Sequence, residues 1–144
     1  MTDSPVQQPQ PVRSQARPYR ILVVDDDEPK RYSMVRWLTH AGYAVDEAAT
    51  GEEGLARLAG HDAVVLDVHL PDLSGFDVCR QMRRRAPAVP IVQVSAVFTQ
   101  ESYRAAGRLA GASSYLTELD GDDLLHAVES ALQRRFGHAG NSRV

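Results

Sequence analysis

The sequence lacks the features of several common protein classes. Its 144 residues include one cysteine, Cys79, which excludes an intramolecular disulfide framework and a cysteine-based zinc site. Its longest unbroken apolar runs are about four residues, whereas a membrane-spanning helix needs about 20. The N-terminus has no basic-then-apolar signal pattern, and the net charge of −3 favours neither nucleic acid nor an anionic membrane as a partner. We therefore expect a cytoplasmic protein with no nucleic-acid or membrane partner.

The two ends of the chain have few large apolar side chains. Residues 1–18 carry four prolines and four glutamines, and such a segment cannot bury enough surface to offset the entropy lost on ordering. We expect a disordered tail there and a second, shorter tail over residues 137–144. The stretch between them, residues 19–136, suits one well-buried core and is too short for two comfortable domains.

Short apolar runs alternate with amphipathic stretches between the two tails. Ile21–Val24 and Ala63–Leu66 are continuous and rich in β-branched residues, which is typical of strands buried on both faces. A capping box from Thr50 to Glu53 opens a short helix, and Gly42 suits the end of the preceding one. Five strands alternating with five helices predict an α/β fold, a doubly wound parallel sheet with helices on both faces. The predicted strands cover residues 21–24, 43–47, 63–67, 90–95 and 113–117.

Carboxylates follow two of these strands. The first strand runs into Asp25, Asp26, Asp27 and Glu28, and the third ends at Asp67. Sites in such sheets lie outside the carboxyl ends of the strands. A nucleotide site is excluded, because no glycine-rich turn follows the first strand and carboxylates repel phosphates. Converging carboxylates instead require a cation, and oxygen ligands suit Mg²⁺ or Mn²⁺.

Helix caps and turns are the simpler explanation for several acidic residues. We favour it for Asp27, Glu28, Asp72 and Asp120. It fails for Asp25, Asp26 and Asp67 taken together. Bringing like charges within about 4 Å costs several kcal/mol at an effective dielectric constant of about 20. A fold that places three such charges at the ends of central strands needs a compensating ion or a function.

The chain resembles a receiver domain, the phosphoacceptor module of bacterial two-component response regulators, in four stretches. They are Ile21–Asp27, Val64–Gly75, Val94–Ala96 and Gly111–Thr117. Their joint order and spacing along five strand–helix units carry the resemblance, which covers roughly residues 19–136. The resemblance implies the flavodoxin-like fold of that family.

The resemblance also implies a role for each residue at the strand ends. Asp67 would accept a phosphoryl group from a phosphohistidine on a sensor histidine kinase or phosphotransfer protein. Asp25, Asp26, Asp67 and the backbone carbonyl of His69 would hold Mg²⁺. The metal is needed because a carboxylate attacks phosphorus only if the charge of both partners is offset. Ser95 would contact the phosphoryl group with its hydroxyl.

Ser95 and Tyr115 would together form the switch, since in this family the rotamer of the aromatic side chain follows the hydroxyl. Two simpler explanations stay open: a serine that bonds its own backbone and an ordinary half-buried strand tyrosine. The imidazole of His69 either tunes the loss of the phosphoryl group or is an exposed loop side chain.

The end of the fifth strand departs from the family. A typical receiver domain has Lys-Pro there, and this chain has Glu118 and Leu119. Losing the charge-assisted hydrogen bond of that lysine costs about 1.5–3 kcal/mol before any repulsion from the new carboxylate. Lys30 is the one lysine of the chain. It could reach the pocket from the first helix, but we favour a solvated lysine at that position.

The leading hypothesis is an atypical receiver domain in phosphorelay signalling, with no enzymatic activity beyond self-catalysed phosphotransfer and dephosphorylation. The alternative is a pseudo-receiver interaction module that does not switch by phosphorylation, as the loss of the lysine favours. A free-standing phosphatase or phosphotransfer enzyme ranks third, because the second acid that it needs two residues after Asp67 is replaced by His69.

No output domain follows, so we expect the signal to pass to an unknown downstream protein. The usual contact face of the family is formed by the fourth helix, the fifth strand and the fifth helix, and the last helices are a candidate homodimer surface. Candidate contact residues on that face are Val97, Phe98, Tyr103 and Tyr115.

Overall fold

The computed structural model describes residues 17–95, 100–117, 120–137 and 142–143. Within these ranges lie one five-stranded parallel sheet and five helices, none of which is long and apolar enough to cross a membrane. The strands of the sheet are β1 (Arg20–Val24), β2 (Ala44–Ala48), β3 (Ala63–Asp67), β4 (Ile91–Val94) and β5 (Ser114–Leu116). The helices are α1 (Glu28–His40), α2 (Gly51–Arg57), α3 (Gly75–Arg85), α4 (Glu101–Ala110) and α5 (Gly121–Phe136).

The strand order in the sheet is β2-β1-β3-β4-β5. The chain moves outward from β1 to β2 and then returns to the other side of β1 with β3, so the order reverses between β1 and β3. Ligand sites form at such a reversal in doubly wound sheets. The register pairs Val24 with Leu66, and the residues that follow, Asp25 and Asp67, therefore come to the same edge.

Both faces of the sheet are buried, as the continuous apolar runs predict. Ile21 and Val23 of β1 pack with α1 and α5. The alternate residues Leu22 and Val24 pack on the opposite face with α2 and α3, because successive strand residues point to opposite sides. All four side chains are fully buried. The predicted doubly wound parallel sheet is confirmed.

The strand bounds differ from the predicted ones by about one residue at some ends. The second strand was predicted from Tyr43, but the backbone N–H of Tyr43 donates to the carbonyl of Leu38 in α1 at 3.1 Å. This N–H satisfies the end of the helix and is not available to the sheet. Gly42, predicted to end α1, has a φ of 101°, in the left-handed region that favours glycine.

The capping interpretation holds for most of the acidic residues to which it was applied. The N-cap side chain of Asp120 accepts from the backbone N–H groups of Asp122 and Asp123 at the start of α5. Glu28 lies in the first turn of α1, where a carboxylate complements the helix dipole. Asp27 occupies the N-cap position of α1, as expected, but its side chain makes no capping bond.

Asp72 caps a helix that begins 21 residues before it in the chain. Its two carboxylate oxygens accept from the backbone N–H groups of Gly51 and Glu52, at 2.8 and 2.9 Å. The capping box of the same helix is confirmed, since Thr50 Oγ1 accepts from the N–H of Glu53 and the carboxylate of Glu53 accepts from the N–H of Ala49. The loop after β3 is thereby joined to the start of α2.

The two ends of the described chain lie side by side. Arg17 and Pro18 pair in antiparallel fashion with Arg143 and Ser142. Four of the residues expected in the tails therefore form a short ribbon next to the sheet. The rest of the expected tails, residues 1–16, 138–141 and 144, lies outside the described residues.

Replacing Asp72 with alanine removes its two bonds to the N-terminus of α2 and leaves the capping box of Thr50 and Glu53. We expect Asp72→Ala to lower the free energy of unfolding by about 1 kcal/mol, the usual cost of losing a helix cap. The measurement is urea denaturation followed by circular dichroism. Glu129→Ala is the matched control, since it removes the same charge from an exposed position inside α5. Equal effects of the two variants would contradict the capping role.

Candidate functional site

Three carboxylates meet at the point where the strand order reverses. Asp25 follows β1, Asp26 lies one residue further, and Asp67 is the last residue of β3. One oxygen from each lies within 4.8 Å of the others. Asp25 is 0% exposed and Asp67 is 4% exposed, whereas Asp26 is open to solvent. The predicted convergence of these three residues is thus present in the structure.

Lys30 contacts two of the three carboxylates. Its Nζ lies 3.0 Å from Oδ1 of Asp67 and 3.1 Å from Oδ2 of Asp25, and the side chain is only 18% exposed. The favoured expectation of a solvated lysine is wrong, and the alternative that Lys30 reaches the pocket is confirmed. Lys30 reaches the pocket because it lies in the first turn of α1, which begins directly after the acidic loop and faces the end of β3.

Backbone and side-chain donors fix the two buried carboxylates. The N–H of Asp27 donates to Oδ1 of Asp25 at 2.9 Å, and the N–H of His69 donates to the carboxylate of Asp67. Arg31 donates through Nη1 to the carbonyl of Asp25 at 2.7 Å and through Nε to Glu47 at 2.8 Å. Arg31 was not singled out from the sequence, where one more arginine in a helix carries no signal.

The protonation of these groups reflects burial and mutual repulsion. Burial and, to a smaller extent, the charge of Asp25 raise the pKa of Asp67, while Lys30 and the N–H of His69 lower it, and the net result is a pKa of about 6. Burial also raises the pKa of Asp25, against the N–H of Asp27 and the charge of Lys30. Burial alone would lower the pKa of Lys30, but Asp67 and Asp25 outweigh it and the pKa is raised. The ammonium of Lys30 therefore partly compensates the charges of two buried carboxylates.

The cluster fits a small divalent cation. Its donors are carboxylate oxygens alone, the ligand type that Mg²⁺ and Mn²⁺ prefer. Oδ2 of Asp25 is buried and lies near the ammonium of Lys30, but it accepts no hydrogen bond of good geometry. A buried carboxylate oxygen that accepts no well-aligned hydrogen bond can still coordinate a metal.

Ser95 and Tyr115 are brought together beside Asp67. The register pairs Asp67 with Val94, so Ser95 lies on the neighbouring strand end, where it is 2% exposed. The side chains of Ser95 and Tyr115 are hydrogen-bonded. Tyr115 is 7% exposed, and its ring meets that of Phe76 edge to face with centroids 6.3 Å apart. The serine and the tyrosine are therefore linked side chains, each largely buried.

The loop after β3 is held close by a glycine. A Cβ on Gly75 would lie 2.3 Å from the carbonyl oxygen of Asp67 and 2.5 Å from Cα of Val68, distances that no real side chain tolerates. Gln93, which is fully buried, donates to the carbonyl of Gly75 at 3.1 Å. His69 itself has an exposed side chain. The sequence had no signal for Gln93, which reads as one polar residue in an apolar strand.

Several of the predicted residues lie elsewhere or outside the described part of the chain. Glu118, Val97 and Phe98 are outside the described residues. Tyr103 is half-buried on α4. On the same helix, Arg104 donates to the carbonyl of Tyr115 at 3.2 Å and to Oγ1 of Thr117 at 3.1 Å.

Comparison with known proteins identifies the family. The family described as response regulator receiver domain matches residues 21–129. This chain is a response-regulator receiver domain. Response regulator MprA of Mycobacterium sp. strain KMS is 45% identical over 120 residues, which are 82% of this chain and 52% of that protein. Transcriptional regulatory protein TcrA of Mycobacterium tuberculosis H37Rv is 41% identical over 118 residues, which are 81% of this chain and 46% of that protein.

Solved receiver structures have the same fold. A putative response regulator from Chloroflexus aurantiacus superposes with a TM-score of 0.77 at 32% identity and covers 82% of this chain and 100% of that one. The beryllofluoride-activated receiver domain of DrrB, a protein of Thermotoga maritima, superposes with a TM-score of 0.75 at 31% identity. The match covers 81% of this chain and 98% of that one. The receiver domain therefore spans about half the length of the curated relatives that it matches.

A methyl group on Gly75 is expected to destabilise the receiver domain. Gly75→Ala forces the backbone of Asp67 and Val68 apart from α3, and overpacking of this kind costs about 1–3 kcal/mol. Gly107→Ala is the matched control, because Gly107 is also helical and its Cβ would meet the side-chain end of Gln93 at 3.0 Å. The two variants are compared by chemical denaturation. A loss no larger for Gly75→Ala than for Gly107→Ala would contradict the close approach.

Proposed function

We propose that this receiver domain accepts a phosphoryl group on Asp67 from a phosphohistidine of a sensor histidine kinase or a phosphotransfer protein. The observation that carries the proposal is the grouping of Asp67 with Asp25, Asp26 and Lys30 at the reversal of strand order. A buried carboxylate with a cation beside it at a strand end is placed to act as a nucleophile, whereas a helix cap or a turn needs none of these neighbours.

The proposed transfer is a displacement at phosphorus. A carboxylate oxygen of Asp67 forms the new bond to phosphorus while the bond from phosphorus to the donor imidazole breaks. The electron pair of that bond returns to the imidazole nitrogen, which takes up a proton. With a pKa of about 6, Asp67 is mostly ionised at neutral pH and keeps the lone pair that the reaction needs. On this proposal the domain takes part in self-catalysed phosphotransfer and dephosphorylation, and we expect no enzymatic activity beyond these.

Asp25, Asp26, Asp67 and the backbone carbonyl of His69 would hold Mg²⁺ or Mn²⁺. A divalent cation supplies charge compensation between the carboxylates and the incoming phosphoryl group. The oxygen-only donors and the buried Oδ2 of Asp25 support this assignment. Asp26, open to solvent, gives the ion a route from solution.

Ser95 would donate its hydroxyl to the phosphoryl group and so change its bond with Tyr115. Tyr115 lies on β5, next to α4, and this position supports an output through the face of α4, β5 and α5. Val97, Phe98 and Tyr103 belong to the same proposed contact surface for a downstream protein. The last helices remain a proposed homodimer surface, and residues 19–136 remain the proposed extent of the domain.

The pseudo-receiver alternative is favoured by one observation, the carboxylate of Glu118 where the family has lysine. Such a module would keep the fold and the metal site and bind its partner without phosphorylation. The two functions differ in whether Asp67 forms an adduct, and the first experiment below decides between them.

Incubation with Mg²⁺ and acetyl phosphate tests the phosphoacceptor directly. We expect intact mass spectrometry to show the addition of one phosphoryl group and Asp67→Ala to abolish it, because the other two carboxylates of the cluster, Asp25 and Asp26, are assigned to the metal. Asp77→Ala, at an exposed position on α3, is the control and should be modified like the wild type. Absence of any adduct on the wild-type protein, with acetyl phosphate or beryllofluoride at saturation, would contradict the phosphoacceptor role and leave the pseudo-receiver alternative.

Magnesium should stabilise the folded protein through the same carboxylates. At a concentration about 100 times its dissociation constant, a ligand that binds only the folded state adds about 2.7 kcal/mol to the free energy of unfolding. We expect Mg²⁺ to raise the melting temperature and EDTA to reverse the increase. Asp26→Ala should abolish the shift, while Asp27→Ala should retain it, because Asp27 uses only its backbone at the site. An undiminished shift in Asp26→Ala would place the ion elsewhere.

A further inference from the structure

The site contains a cation that the family pattern does not account for. The ammonium of Lys30 lies within 3.1 Å of both Asp67 and Asp25, and no other lysine exists in the chain. We propose that Lys30 supplies, from the first helix, the positive charge that contacts the phosphoryl group on Asp67. This inference rests on the proposed phosphorylation of Asp67 and names the residue that binds its product.

The phosphorylated site needs a positive charge besides a divalent cation. The phosphoryl group carries a charge of about −1.5 to −2. The bond to phosphorus removes the charge of Asp67 itself, so the net gain is about one negative charge, in a pocket that already holds Asp25 and Asp26. One divalent ion offsets only part of this negative charge. Glu118, which stands at the family's lysine position, brings no compensation. A hydrogen bond from an ammonium to a phosphoryl oxygen is about twice as strong as one between neutral groups.

Lys30 is close enough to make this bond with little movement. Its Nζ already hydrogen-bonds Oδ1 of Asp67 at 3.0 Å, and the phosphoryl oxygens will lie beside that carboxylate. The lysine stem is flexible and its three N–H donors rotate freely. The first turn of α1 is anchored meanwhile, since the N–H of Arg31 donates to the carbonyl of Asp27 at 2.8 Å and its Nη1 to the carbonyl of Asp25. The helix can therefore stay in place while the side chain turns.

Two arginines in the described part of the chain are rivals, Arg31 beside Asp25 and Arg104 beside Tyr115, and both are engaged with other groups. Arg31 directs its guanidinium to Glu47 and the carbonyl of Asp25. Arg104 directs its guanidinium to Oγ1 of Thr117 and the carbonyl of Tyr115, at 3.1 and 3.2 Å. Of these cations, Lys30 is the one that contacts the carboxylate to be phosphorylated.

Before phosphorylation the same ammonium acts as an internal counterion. It neutralises part of the charge shared by Asp25 and Asp67, which a divalent cation would otherwise neutralise. Removing Lys30 should therefore leave the affinity for Mg²⁺ unchanged or raise it, while weakening the binding of a phosphoryl group. A lysine that merely held the two carboxylates in place would affect both ligands in the same direction.

The test compares beryllofluoride and Mg²⁺ binding in the full chain. Lys30→Met keeps most of the apolar stem and removes the charge. At saturating Mg²⁺ we expect its affinity for beryllofluoride, followed by fluorine NMR, to fall about tenfold or more, as for loss of a hydrogen bond to a charged group. Calorimetric titration should show that its affinity for Mg²⁺ is not reduced. Arg36→Met, which removes a charge from an exposed position on the same helix, should match the wild type in both titrations.

The outcomes separate the inference from the proposed function. Failure of the wild-type protein to bind beryllofluoride overturns the phosphoacceptor role itself. Two results would overturn the role of Lys30 alone. One is that Lys30→Met binds beryllofluoride as tightly as the wild type does. The other is that it loses as much affinity for Mg²⁺ as for beryllofluoride. If Arg104→Met loses affinity for beryllofluoride and Lys30→Met does not, the positive charge that contacts the phosphoryl group is supplied by α4. Adding Glu118→Lys to Lys30→Met should recover beryllofluoride binding, and no recovery would contradict a requirement for positive charge.

Discussion

The burial of two like charges at the ends of adjacent strands is the constraint on which the site depends. Asp25 and Asp67 are almost entirely removed from solvent, and both burial and mutual repulsion raise the pKa of Asp67 to about 6. Donors on every side make this arrangement tolerable: the ammonium of Lys30, the N–H of Asp27 and the N–H of His69. Each of these donors sits on a loop or helix that starts where a strand stops, so the repulsion is balanced locally.

The sheet holds Asp25 and Asp67 close together, so their mutual repulsion persists and favours the binding of a cation. β1 and β3 are central, with apolar residues buried on both faces, and the strands cannot separate to relieve the charges without breaking the core. Gly75 and Asp72 hold the loop after β3 against α3 and α2. A carboxylate that can neither move away nor be well hydrated keeps its affinity for any cation or electrophile that offers compensation.

The fold and the carboxylate cluster could be predicted from the sequence because both follow from local patterns. Continuous apolar runs mark strands buried on both faces, and parallel strand ends share one edge, so Asp25 and Asp67 had to meet. The position of Lys30 could not be predicted in this way. An isolated lysine in a first turn is solvated by default, and only the phase of α1 relative to β3 decides that its side chain turns inward. A cap or turn was expected at Asp72, but the sequence did not indicate that the helix it caps is α2, since the bond joins residues 21 positions apart.

By sequence position, the lysine that the family has at the end of the fifth strand is absent from this chain. The electrostatic potential in the pocket, however, depends on where a charge lies in space and not on its place in the sequence. On the proposed assignment, the positive charge has moved from the strand end to α1. The consequence is mechanical as well as electrostatic. A lysine on the fifth strand can pull that strand toward the phosphoryl group, but a lysine on α1 cannot. The link between Ser95 and Tyr115 would then be the remaining route from Asp67 to β5 and α4.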